Sequence, residues 1–144
     1  MTDYPEKYAP TINLAWAYFQ NEKPDEAFTI LSDAIENADT PDKIQFLVKR
    51  SQLYALAFRY DEAIADMDAA LAPDSDNPLL YVERGQRILL LYEWDRALAD
   101  FNHALELDSA YADAYYYRGV LYASVPEGVE ARQLALEDFE RYLE

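Results

Sequence analysis

Tyr81-x-x-Arg84-Gly85-x-x-Ile88, followed by Ala97-Leu98-x-x-Phe101-x-x-Ala104-Leu105, is the stretch from which the rest of the chain can be read. Its apolar and small residues recur three and four positions apart, which places them along one side of a 3.6-residue helix in each of two successive segments. The same frame returns 34 residues later as Tyr115-x-x-Arg118-Gly119-x-x-Tyr122, with Ala135-Leu136-x-x-Phe139-x-x-Tyr142-Leu143 after it. It stands 34 residues earlier as Leu47-x-x-Arg50-Ser51-x-x-Tyr54, with Ala63-Ile64-x-x-Met67-x-x-Ala70-Leu71. A more divergent copy opens the chain with Leu14-Ala15-x-x-Tyr18 and Ala27-Phe28-x-x-Leu31-x-x-Ala34-Ile35. Each copy therefore encodes two amphipathic helices. Gly85, Gly119, Ala27, Ala63, Ala97 and Ala135 let the paired backbones approach, and Phe101 and Phe139 fill the space beside them.

The spacing predicts helices over 10–21, 24–37, 42–57, 61–72, 78–91, 95–107, 111–124 and 128–143. Boundary residues agree. Thr40-Pro41 and Asn77-Pro78 each place a capping side chain before a proline suited to a first helical turn, and Pro24 opens a second helix in the same way. Asp61, Glu62 and Asp95 put acid at positive helix starts. The step from Ala97 to Ala135 exceeds the period by four residues, located in 124–131. Four residues make either one more helical turn or a protruding loop.

Composition narrows the function. The 144 residues hold 28 acidic side chains against 12 basic ones, a formal charge of −16, which repels phosphate backbones and anionic lipid. Nucleic acid and membrane are therefore not expected as partners. With no cysteine and one histidine, thiolate chemistry and most metal or acid–base constellations are excluded. No cofactor, metal site or enzymatic activity is expected. No stretch approaches the roughly 18 uninterrupted apolar residues of a membrane span, and the first residues lack a signal-peptide pattern, so a cytoplasmic location is expected.

A charged pair travels with the apolar frame. Arg50 precedes Asp66 and Arg84 precedes Asp100 by sixteen residues, while Arg118 precedes Asp138 by twenty, the insertion included. The first copy has Leu14 and Ile30 in these places. An ionic pair where copies agree and an apolar pair where one differs predict that the two places touch, as a structural salt bridge rather than an anion-binding column. His103 is expected on the exposed side of its helix.

Four tandem copies resemble the tetratricopeptide repeat, whose 34-residue pattern of aromatic, small residue, Tyr and then Ala-x-x-x-Phe they match over nearly the whole chain. The resemblance implies an all-α, right-handed α-solenoid in a single domain, 1–144, with repeats at about 8–43, 44–77, 78–111 and 112–144. It implies a protein-protein interaction scaffold that holds a peptide or helix of a partner in a concave groove lined by the first helices. By position, that groove would show Ile12, Trp16 and Phe19, then Val48, Lys49 and Gln52. The third repeat would add Leu79, Val82, Glu83, Gln86 and Leu89, and the fourth Asp113, Tyr116, Tyr117 and Val120. The Lys and Asn clamp by which one subclass captures a peptide's terminal carboxylate is not matched: those places hold Ile12, Trp16, Lys49, Leu79 and Glu83 in one register, and Val48, Gln52, Glu83, Asp113 and Tyr117 in the other.

Two alternatives remain open. Tyr142 stands where other copies have alanine, so the last helix could carry an aromatic surface for self-association, giving a monomer or weak homodimer. The chain could also be a fragment of a longer regulatory protein.

Overall fold

The computed structural model describes residues 7–125 and 128–144. Among them are eight helices and no strand: α1 (Ala9–Gln20), α2 (Pro24–Asn37), α3 (Thr40–Leu56), α4 (Tyr60–Leu71), α5 (Pro78–Leu89), α6 (Trp94–Leu107), α7 (Ala112–Ser124) and α8 (Val129–Leu143). Every predicted helix is present, with ends within two residues of expectation. Prolines occupy the first turns of α2, α3 and α5. The Asn77 side chain accepts from Leu79 N–H at 3.1 Å, as its capping role requires. Thr40 does not cap: it is already helical, and the residue before it, Asp39, makes no side-chain cap bond.

The helices pack as two compact units, α1–α4 ending at Pro73 and α5–α8 beginning at Asp74, each holding two of the repeats expected within a single 1–144 array. In the first unit α1 packs on α2, α2 on α3 and α3 on α4, and α1 also touches α3. The second unit repeats that order with α5 to α8. Leu31, Leu53 and Met67 are fully buried in the first core, and Leu80, Phe101 and Ala104 in the second.

The small residues act as the spacing implies. A Cβ built on Gly85 would stand 2.6 Å from the Phe101 ring, and one on Gly119 would stand 2.9 Å from the Phe139 ring. Each aromatic ring thus fills the space left by a missing side chain, which offsets the roughly 1 kcal/mol by which glycine weakens a helix. Ser51 holds the same place in the second repeat. Its buried hydroxyl donates to the Ala63 carbonyl at 2.8 Å, so a polar group at the close approach is satisfied by the facing helix.

The turn from first to second helix passes through a left-handed residue in each of the first three repeats, with the same pair of hydrogen bonds in the first two. Glu22, Phe58 and Tyr92 all sit at φ near +60°. Arg59 N–H reaches back to the Tyr54 carbonyl at 2.8 Å and Phe58 N–H to Ala55 at 3.1 Å, and Lys23 and Glu22 do the same with Tyr18 and Phe19. This double bond pattern closes a helix through a left-handed residue, a position suited to glycine. None of the three is glycine, and each accepts a penalty of roughly 1 kcal/mol.

The insertion lengthens α8. Val129 starts that helix six residues before Ala135, whereas Pro24, Tyr60 and Trp94 start theirs three residues before Ala27, Ala63 and Ala97. Most of the excess is thus an added helical turn. Pro126 and Glu127, where part of the alternative loop would fall, lie outside the described residues.

Candidate functional site: the faces of the first helices

The three charged pairs form as the spacing predicts. Arg50 donates twice to Asp66 at 2.8 and 2.7 Å, Arg84 to Asp100 at 2.9 and 2.7 Å, and Arg118 to Asp138 at 2.8 and 2.7 Å. The acids are buried and accept in two-pronged geometry. Arg50 also donates to Ser32 Oγ at 2.7 Å, and Arg118 to Asn102 Oδ1 at 2.7 Å, so both tie their own hairpin to the second helix of the repeat before. These arginines are committed to the framework. In the first repeat the apolar counterpart Leu14 is 50% exposed and stays out of the core.

His103 is half-buried rather than fully exposed. Its ring lies edge-on to Tyr81 at 4.4 Å, with Nδ1 3.0 Å from Glu106 Oε2. Among the described residues no group of His, Asp or Glu is placed to hold a metal ion, and no helix is long and apolar enough to cross a membrane.

On the first unit's face, Trp16 and Phe19 stack at 6.1 Å between centroids, one helical turn apart on α1. Lys49, from α3, lies 5.1 Å above the Trp16 ring and donates to Gln52 Oε1 at 2.9 Å. Trp16, Phe19, Val48 and Lys49 are half-buried and Gln52 is exposed. The result is an aromatic patch carrying one ammonium group.

The second unit's face is aromatic and acidic. Tyr116 and Tyr117 meet edge to face at 5.0 Å, Tyr117 stacks on Phe101 at 6.3 Å, and Tyr116 continues to Tyr142 at 5.2 Å. Tyr142 is therefore 41% exposed but leans on its own unit. Leu79, Asp113 and Tyr116 are exposed, and Glu83, Gln86, Leu89, Tyr117 and Val120 are half-buried. Arg87, which the sequence reading passed over, pairs with Glu83 at 2.7 Å one turn along α5. The Glu-to-Arg spacing of four is a helical ion-pair signal that could have revealed it.

Two expected groove residues are corrected. Ile12 is 3% exposed and Val82 2%, so neither can meet a partner. Because α1 packs on both α2 and α3, and α5 on both α6 and α7, the buried arc of each first helix is wider than one hairpin requires.

Tyr111, at the start of α7, was also passed over. Burial, followed by the Asp113, Glu83 and Asp108 carboxylates, pushes its phenol up to about 12. Tyr117 is raised by the same kind of burial and by Glu83 and Asp113. The two acids therefore act on both phenols. A raised folded value means that the native state keeps its proton where the unfolded chain, near 10, has lost it. Stability contributed by the neutral phenol is complete below pH 10 and is lost as pH rises toward 12. Urea midpoints measured from pH 9 to 12 should fall, and Tyr111→Phe should fall less steeply.

The comparisons agree with this architecture. A tetratricopeptide repeat family model matches residues 12–78 and a second, described as a TPR repeat, matches residues 93–125. No curated protein sequence matches. A solved structure of MamA is 21% identical, with a TM-score of 0.68 over 90% of this chain and 72% of its own. A tetratricopeptide repeat protein from Parabacteroides merdae is 22% identical, with a TM-score of 0.73 over 94% of this chain and 52% of its own. The first TPR of Spaghetti (RPAP3), solved bound to the HSP90 peptide SRMEEVD, is 28% identical, with a TM-score of 0.63 over 74% of this chain and 80% of its own. Two family matches, eight helices paired in the order the repeat demands, and this likeness to solved repeat structures place the chain in the tetratricopeptide repeat family.

Proposed function

We propose that the chain is a non-catalytic scaffold that holds a peptide or helix of another protein against the faces of its first helices. The observation that carries this reading is the pair of accessible aromatic patches, Phe19 stacked on Trp16 with Lys49 over the Trp16 ring in one unit, and Tyr116 and Tyr117 beside Glu83 and Asp113 in the other. Large amphipathic rings flanked by a few charges are the usual anchors of protein recognition. The two patches differ in sign: the one under Lys49 favours an apolar segment that carries acid, and the one beside Glu83 and Asp113 an apolar segment that carries base.

The RPAP3 repeat unit is solved with an acidic HSP90 peptide. Here Glu83 and Asp113, both on the second unit's face, oppose a carboxylate-rich tail, and of the positions of the carboxylate clamp only Lys49 carries a base. A ligand of a different charge pattern is therefore favoured.

With a partner isolated by affinity capture, Trp16→Ala and Tyr117→Ala should each weaken binding about tenfold or more while helicity is retained. Unchanged affinity in both variants would move the site off these faces.

A further inference from the structure

The turns between first and second helices carry an oddity that the packing of the repeats does not use. Phe58 and Tyr92 are 80% and 73% exposed, and both sit at the left-handed φ of 60° that favours glycine. Each ring lies edge-on to the aromatic two residues later, Phe58 on Tyr60 at 6.3 Å and Tyr92 on Trp94 at 5.6 Å. A bulky ring that strains the backbone and buries almost nothing points to contact with something outside the chain.

In the second unit this turn adjoins a cavity of about 550 Å³. Trp94 and Leu98 of α6 line one side, Leu121 and Tyr122 of α7 another, and Leu134 of α8 a third. The added turn of α8 supplies Glu130 and Ala131 to its wall. Such a volume, mostly apolar and open at the surface, suits a large apolar side chain and its neighbours. Among the described residues, the charged groups lining it are Asp95 and Glu130. Arg96, the basic residue of this turn, is tied to Glu93. Against a chain of formal charge −16, the complementary ligand is apolar and basic.

We propose that this turn edge, Tyr92 and Trp94 with the cavity between the starts of α6 and α8, is a second docking site. It takes an amphipathic basic segment of another protein, one leucine-sized or aromatic anchor entering the cavity while adjacent Lys or Arg side chains meet Asp95 and Glu130. The site shares no residue with the aromatic patches of the proposed function and does not depend on them.

The two tryptophans make the test direct, since Trp94 belongs to this edge and Trp16 to the other unit's first helix. The probe is a helix-forming peptide of about 15 residues with leucines on one face and lysines on the other. In Trp16→Phe protein, Trp94 emission should shift on titration. In Trp94→Phe protein, Trp16 emission should stay constant. A peptide with glutamates in place of lysines, or alanines in place of leucines, should bind about tenfold more weakly or not at all. Tyr92→Gly separates contact from packing, because it should raise the melting temperature while weakening the peptide about tenfold. A silent Trp94, a response confined to Trp16, equal binding of the alanine peptide, or full affinity in Tyr92→Gly would each overturn the proposal.

Discussion

Replacing Phe101 with alanine should destabilise the protein by about 3–5 kcal/mol, the range for emptying a fully buried aromatic site. The ring has no solvent exposure and fills the space over Gly85, whose missing Cβ would otherwise lie 2.6 Å from it, and Tyr117 stacks on it at 6.3 Å. The reverse change probes the same contact from the other side. Gly85→Ala should cost about 1 kcal/mol or more despite the better helix propensity of alanine, because a ring enclosed on every side cannot step back. Gly119→Ala should be milder, since Phe139 is only half-buried. Urea denaturation of the three variants checks the order Phe101→Ala, Gly85→Ala, Gly119→Ala from worst to least.

The second large effect concerns the charged pairs. Asp66→Ile leaves the Arg50 guanidinium, 17% exposed, without the carboxylate that accepts two of its bonds, and should cost about 3 kcal/mol. Arg50→Leu with Asp66→Ile together imitates the Leu14 and Ile30 of the first repeat. That double variant should lose much less than either single change, because apolar groups need no partner. Chemical denaturation of the two singles and the double measures the coupling; equal losses in all three would show that the pair is not a structural unit.

These pairs also show what the sequence makes legible. The interval from Arg118 to Asp138 stretches by the same four residues as the apolar frame around it, so the contact is encoded in the repeat itself and survives an insertion. Glycine opposite phenylalanine is readable for the same reason. Ile12 and Val82 were misplaced because a 3.6-residue period assigns a direction but not the width of the buried arc, which here depends on two neighbouring helices rather than one. Phe58 and Tyr92 escape a sequence reading altogether. A left-handed turn is normally announced by glycine, and an aromatic residue in that place looks like ordinary core until its exposure is known. Tyr111 is similar: burial does most to raise its phenol, Asp113 comes next, and Glu83 adds to them from 28 positions away in the chain, which no local motif announces.

If the faces of the first helices receive the partner, a photoreactive residue placed at exposed positions on either kind of helix will report it without disturbing the core. Gln52 and Tyr116 stand on first helices, and Thr29 and Ala65 are exposed on second helices. With a captured partner, illumination should yield crosslinks from Gln52 and Tyr116 and none from Thr29 and Ala65; crosslinks from the second-helix positions alone would put the partner on the second helices instead.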